Sequence, residues 1–445
     1  MNNTPLSLTF GEKIKQVRVK KGHNQDGLAK ALGVSMMYIS RLERGLAECD
    51  DKTISGIRHF LDIENAPLLE HELADYRNRL WVWNDIIAAD RLNDAKAMQS
   101  ELSPILKLPY ERDLILLYWM IETRLLFKEG NLAAAEERLN SAKALLDATM
   151  AEAHHLYHRN MGFLFFCSQA HRASLRHFLR SLEYVSDNIK PDAGVYLNIG
   201  TAYVCLGKPW QSILNLEQAK AKFNIDRTSN IEMGINSTLA ICYSFVGEFD
   251  KAEKLFNISL MQAKRINDEN AIGIVLSNLG QLYAKSGRYE ASVKIYDEAL
   301  EHLKIREIRD KSQELFQSDK YQRMQVLAGK SFALIRLKDY AQCKGLATQL
   351  NALAEGNEIF SAIAETITCL ITLDDSKSTD YIEKVAIPYF RYHKNINNGI
   401  YLALEVCEIL EAHYNKKRST KKAHAVATTI RDIQKAVYYG AVVLD

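Results

Sequence analysis

Side chains able to grip a backbone recur along this chain at a nearly fixed step. Asn160, Asn198, Thr238 and Asn278 stand 38, 40 and 40 residues apart. A side-chain amide donates and accepts at once, so asparagines lined up on one wall can pair with successive backbone amides of an extended peptide. Arg159, Thr201, Gln281 and Lys285 lie beside them and would supply selection. The alternative is that these asparagines bond to adjacent helices inside a scaffold, and the residues alone leave both readings open. A second chemistry sits near the N-terminus, where 25–45 reads QDGLAKALGVSMMYISRLERG, preceded by Lys13, Lys15, Lys20 and Lys21. A guanidinium such as that of Arg41 can hold guanine O6 and N7 together, and lysine ammonium groups suit phosphate oxygens. Away from such a motif, a lysine cluster is simply a solvated face.

Other chemistry is thin. His154 and His158 lie four apart with His155 beside them, but no H-E-x-x-H occurs and acidic or cysteine partners at metal spacing are lacking, so neither metal nor cofactor is expected. No phosphate-binding loop, dinucleotide fingerprint or G-x-S-x-G appears, which argues against an enzyme. The seven cysteines are scattered without a C-x-x-C pair and read as reduced thiols in small core positions. No apolar run reaches the roughly 18 residues of a membrane span, so the chain is expected in the cytoplasm. A formal net charge of +2 over 445 residues means that any nucleic-acid contact comes from one local basic surface.

The elements that must position these groups are helices. Gly 21 and Pro 7 are low counts for this length, leaving little turn material for an all-β fold. Near the N-terminus, Ile14, Val17, Leu28, Ala29, Leu32, Val34, Ile39 and Leu42 fall at helical spacing with breaks at Gly22 and Gly33. Asn24 and Ser35 are placed to cap the second and third of three short helices, and Gly33 permits the turn between them. The spacing predicts a helix-turn-helix in which the helix from Ser35 to Glu43 enters the major groove.

Gln25, Leu28-Ala29, Gly33-Val34-Ser35, Ile39-Ser40, Leu42-Glu43 and Gly45 resemble the Cro/C1-type (XRE) repressor domains over Thr9 to about Ile63, with a further helix Thr53 to Leu61. Asn24 stands where that family commonly has Thr. The resemblance implies that Gln25 touches the phosphate and base at the groove edge, and that Met36, Met37 and Arg41 occupy base-reading positions. Ser35, Tyr38, Arg44, Lys13 and Lys21 complete the expected DNA-facing set. Methionines cannot bond adenine as Gln or Asn would, which points to thymine methyls or DNA shape, unless one of the two packs inward. Arg18 and Glu43 are expected to pair internally, because a carboxylate facing phosphates is repelled.

The rest is a repeat. YLNIGTAYVCLGKPWQSILNLEQA (196–219) and LSNLGQLYAKSGRYEASVKIYDEA (276–299) share Gly200/Gly280, Tyr203/Tyr283, Gly207/Gly287, Ser212/Ser292 and Ala219/Ala299. Between them fall Ala240, Tyr243, Gly247, Ala252 and Phe256, and weaker copies run back through Gly162 and Phe178, Trp119 and Leu139, and Trp81 to Ala95. Small residues where helices cross, an aromatic one turn on and a glycine at the turn suit stacked antiparallel helix pairs, and the units resemble tetratricopeptide repeats with longer helices or loops. After residue 303 the pattern loosens into a polar stretch, 304–320, followed by expected helix pairs at 321–353, 358–390 and 397–440. Lys416, Lys417, Arg418, Lys421 and Lys422 read as a solvated turn.

The expected fold is therefore all-α, an N-terminal helix-turn-helix domain (1–66), a linker (67–78) and a tetratricopeptide-like right-handed superhelical solenoid (79–445). This pairing resembles the peptide-pheromone receptor-regulators of Gram-positive bacteria, the Rap, Rgg, NprR, PlcR and PrgX group. The resemblance implies a homodimer that binds an operator in double-stranded DNA and is switched by a short signalling peptide, whose backbone the inner-wall asparagines grip. Two rivals stay open: a repeat domain that sequesters a partner protein, as Rap proteins do, and a phage-type repressor without a peptide ligand.

Overall fold

The computed structural model describes residues 9–64, 69–89, 91–108, 111–147, 150–185, 193–223, 229–303, 319–392 and 399–439. The expected linker lies partly, and the polar stretch 304–320 mostly, outside them. Among the described residues there are helices and turns and no strands. Four short helices come first: α1 (Phe10–Lys20), α2 (Gln25–Leu32), α3 (Met36–Glu43) and α4 (Asp51–Phe60). Antiparallel pairs follow, α5 (Glu70–Ala88) with α6 (Leu92–Leu102) and α7 (Arg112–Lys128) with α8 (Leu132–Lys143), and after them the helices α9 (Ala151–Cys167) and α10 (His171–Leu182). Next come α11 (Ala193–Cys205) with α12 (Pro209–Lys222), α13 (Ser229–Phe245) with α14 (Phe249–Arg265), and α15 (Glu269–Lys285) with α16 (Tyr289–His302). The last pairs are α17 (Asp319–Leu337) with α18 (Tyr340–Leu353), α19 (Glu358–Ile371) with the two-piece α20 (Ser376–Tyr381) and α21 (Ile387–Tyr392), and α22 (Gly399–Lys416) with α23 (Thr420–Tyr439).

Packing divides the chain into two compact units, Met1–Leu164 with Arg180–Lys190, and Phe165–Leu179 with Pro191–Asp445. In the first unit one apolar core runs from Ile14, Leu28, Ile39 and Ile57 through Trp83 and Tyr118 to Leu156. The faint copy at Trp81 is real, but Trp83 is its anchor. Trp83 is fully buried and its indole N–H donates to the Ala95 carbonyl oxygen at 2.8 Å. Ion pairs join the four short helices to the first pairs: Lys13 to Glu111 at 2.6 Å, Arg58 to Glu72, and Asp62 between Lys21 at 3.4 Å and Lys107 at 3.6 Å.

In the second unit three successive pairs, α11–α12, α13–α14 and α15–α16, turn in the same way, and the first and third share a closing bond. The turn glycines Gly207, Gly247 and Gly287 sit at φ +67°, +82° and +76°, where an L side chain would be strained. The Ser212 hydroxyl donates to the Gly200 carbonyl at 2.7 Å and the Ser292 hydroxyl to that of Gly280 at 2.7 Å. A Cβ on Gly280 would come within 2.8 Å of the Tyr296 ring. First helices pack side by side, α11 on α13, α13 on α15, α15 on α17 and α17 on α19, so they form the inner wall of this unit. The long step comes from long helices, 17 residues each in α13, α14 and α15.

The pair expected at 358–390 differs in one respect. Its second helix is interrupted by a π turn, Ile382–Ala386, in which the Ile387 N–H reaches the Ile382 carbonyl. Pro388 has no N–H to give the regular ladder, so an i→i+5 bond before it absorbs the fault. The basic run 416–422 is an exposed turn and helix start, as expected, with Lys417 on Asp374 at 2.8 Å.

Glu111 places a carboxylate 2.6 Å from the buried Lys13 ammonium, and removing it takes away that opposite charge. Glu111→Ala should cost roughly 3 kcal/mol, and Lys13→Met combined with Glu111→Leu should restore most of it, read from urea unfolding of the full chain.

Candidate functional site

The first site is the exposed side of α3. Three caps build it. The Thr9 hydroxyl and Glu12 carboxylate close a capping box at α1. The Asn24 side chain accepts from the Gly27 N–H at 2.7 Å, and the Ser35 hydroxyl oxygen from the Tyr38 N–H at 3.1 Å. Gly33, at φ +67°, turns the chain between α2 and α3. Beneath α3, Arg18 donates to Glu43 through Nε at 2.6 Å and Nη2 at 2.9 Å, and through Nη1 to the His23 carbonyl at 2.7 Å. Both partners are buried, so the pair is internal.

This fork also holds Gln25, whose Nε2 donates to Glu43 at 2.8 Å, leaving its second N–H for an outside acceptor. Met36 is 54% and Met37 71% exposed, so neither packs inward. Arg41 and Arg44 are exposed and only lightly restrained, Arg41 by the Leu46 carbonyl at 3.3 Å and Arg44 by that of Ser40 at 3.1 Å. Ser35 is exposed as well. Tyr38 points its hydroxyl elsewhere, donating to the Glu48 carbonyl at 2.8 Å, and is half-buried. Lys13 does not belong to this surface: it is 6% exposed and spent on Glu111, because an amphipathic stem on the inner side of α1 buries with the core. Lys21 keeps access, shared with Asp62, whose carboxyl the Lys21 contact holds below its usual range.

The second site is the inner wall of the second unit. Asn198 on α11 and Asn278 on α15 are half-buried, and their side chains make no hydrogen bond among the described residues. Thr238, between them in sequence, is buried and donates to its own helix at Gly234 (2.8 Å), and Thr201 likewise to Leu197 (2.9 Å). Gln281 is exposed one turn beyond Asn278. Asn160 and Arg159 fall in the other unit and are buried. Asn160 donates to the Met120 carbonyl at 2.9 Å, so for this residue the scaffold role is the one realised. The corrections share a cause: a repeat period places a residue on a face but does not say whether a neighbouring helix already covers it.

Lys285 ends α15 with its ammonium 3.7 Å from the centre of the Phe245 ring. Burial pulls it down to about 7, opposed by the Glu405 carboxylate. Arg336 on α17 donates to Glu405 through Nε at 3.0 Å and to Glu408 through Nη2 at 2.9 Å. Burial first, then Glu405, pushes the Glu408 carboxyl up, and Arg336 opposes this. Sequence reasoning passed over Arg336, Glu405 and Glu408. The signal appears only in the fold: the Cys343 thiol meets the Ser331 carbonyl at 3.5 Å, the same twelve-residue separation as Ser212 to Gly200 and Ser292 to Gly280. That spacing aligns Ser331 with Gly280, and therefore Arg336 with Lys285.

Comparison with known proteins agrees with this architecture. The helix-turn-helix family model matches residues 14–64 and the tetratricopeptide repeat model residues 232–305. The chain is thus an all-α protein joining an XRE-type helix-turn-helix to tetratricopeptide-like repeats. It is similar to the transcriptional activator NprA of Geobacillus stearothermophilus, 19% identical over 270 residues, or 60% of this chain and 66% of that one, just under two thirds of its length. In fold it resembles a Rap protein solved with competence and sporulation factor, at TM-score 0.64 and 16% identity over 82% of this chain and 98% of that one. It also resembles the apo form of the quorum sensor NprR from B. thuringiensis, at TM-score 0.62 and 19% identity over 81% and 99%. Among the described residues no helix is long and apolar enough to cross a membrane.

Lys285 gives a pH signature. Its folded proton is lost near 7 and its unfolded one near 10.5, so between these values unfolding takes up a proton and stability gains as pH rises. Lys285→Met should therefore be more stable than the parent at pH 7, with the gap closing toward pH 10 in urea titrations.

Proposed function

We propose that this protein is a transcription regulator that reads an operator with α3 and is switched by a short peptide held along the inner wall of the second unit. The observation that carries the peptide half is the pair Asn198 and Asn278. Two half-buried amides on α11 and α15 make no hydrogen bond among the described residues. Neither is among the buried polar groups left without a partner, so both amides are open to solvent and to a ligand's backbone, which can take the place of water. An extended backbone supplies the alternating donors and acceptors they need.

The DNA half rests on α3. Arg41 and Arg44 are exposed beside Ser35, Met36 and Met37, and Gln25 keeps a free N–H at the edge. Phosphate contacts from Lys21, Lys20 and Arg44 would set position, and Arg41 would discriminate bases, with methionines meeting thymine methyls. A homodimer would place two such helices in successive major grooves, about 34 Å apart. The peptide can alter DNA binding only by the difference between its affinities for the two shapes of the protein. The presence of competence and sporulation factor on the similar Rap fold, and the quorum-sensor role of NprR, support this reading.

Full-length protein, with an operator selected from random duplexes and peptides selected from a random pool, tests it at fixed salt. Asn198→Ala with Asn278→Ala should lose the peptide effect on operator binding and keep peptide-free DNA affinity. A response surviving in that double variant would reject the inner-wall assignment. Arg41→Ala should weaken the selected operator about tenfold or more relative to random duplex, from roughly 1 to 3 kcal/mol of base discrimination. An equal loss on both duplexes would make Arg41 a phosphate contact only.

A further inference from the structure

The spacing of the helix-closing bonds defines a row along the inner wall, five residues beyond each carbonyl acceptor. From Gly200, Gly280 and Ser331 that step reaches Cys205, Lys285 and Arg336, and the repeat period adds Phe245. The row is apolar at one end and doubly cationic at the other. The amide row ends at the same place, since Gly329 stands where Asn278 does one repeat earlier, and the Tyr296 hydroxyl fills the space its side chain would take.

Arg336 meets two carboxylates from far along the chain, and one of them acts on Lys285 through space. Glu405 and Glu408 lie one turn apart on α22, and Arg336 reaches both. Glu405 also acts on Lys285 and Tyr296. Helices α17 and α22 are not sequence neighbours in the stack, so this link is made by long side chains across the wall. Three carboxyls, Glu405, Glu408 and Glu411, crowd one face of α22 and repel each other, and burial adds to the cost of keeping Glu408 charged. The internal anions are therefore held at a penalty, while Arg336 has a planar fork and Lys285 a desolvated ammonium, both of which gain from a better-placed anion.

We propose that Arg336 and Lys285 form a carboxylate-recognition site of the groove, occupied by Glu405 and Glu408 until an incoming peptide carboxylate displaces them. The carboxylate is a peptide C-terminus or an Asp or Glu side chain. The exchange frees α22 from α17, so occupancy is coupled to the C-terminal helices. This inference rests on the groove being a peptide receptor and adds the chemistry of its ligand.

The test is affinity selection of a random hexapeptide pool on the full chain, read by mass spectrometry, with free and with amidated C-termini. The parent should enrich peptides carrying a carboxylate. Loss of enrichment on amidation identifies the terminus, and enrichment of Asp or Glu peptides that survives amidation identifies a side chain. Arg336→Gln should lower retention of those peptides roughly tenfold to hundredfold, the worth of a charge-assisted bond. Glu405→Gln with Glu408→Gln should raise it by removing the internal competitor. Arg336→Lys, which keeps the charge without the fork and tolerates the fold, should fall between. Enrichment indifferent to charge, enrichment of basic peptides, or acid preference persisting in Arg336→Gln would overturn the inference while leaving the groove a receptor. A pool from which nothing is enriched would sink both.

Discussion

The bond from the Ser292 hydroxyl to the Gly280 carbonyl, 2.7 Å long, and its twin from Ser212 to Gly200 govern the second unit. A helix whose carbonyl already serves its own ladder can accept a second bond only if the neighbouring backbone comes very close. Glycine permits that approach, and a small hydroxyl completes it. Once the crossing point is set, every residue of the first helix has a fixed address. Two residues before the crossing lies the amide, one residue after it the second polar position, and five after it the end of the wall.

The wall that results is graded. At α11 and α15 it carries the amides Asn198 and Asn278. Two turns on, toward the ends of the same row of helices, it carries the Phe245 ring on α13, Lys285 on α15 and Arg336 on α17, the last under an internal carboxylate pair. Neutral amides and charged groups are thus separated across one surface. Paired charges are costly to bury and gain little over apolar substitutes, so retaining them argues for a use other than stability.

The first unit solves a different problem. A helix of eight residues such as α3 cannot hold itself. It is held by its cap, by the apolar contacts of Ile39 and Leu42, and by the Arg18–Glu43 fork, which also orients Gln25. Because Lys13, Arg58 and Asp62 tie the small helices to the N-cap of α7, to α5 and to the segment between α6 and α7, α3 shares a core with the first repeat helices.

How far was this legible beforehand? Helix starts at Asn24 and Ser35, the turn at Gly33 and the repeat from 196 to 299 follow from residue type and spacing, because caps, left-handed turns and period are local, whereas the internal pairing of Arg18 with Glu43 was implied by the family resemblance. Whether Lys13 faces DNA or Glu111, whether Asn160 faces a groove or Met120, and that Arg336 sits beside Lys285 were decided by tertiary packing. Each depends on which distant helix arrives at that spot. Between Lys285 and Arg336 the period is broken, so the two cations share a row only once the chain has folded back and matched its crossings.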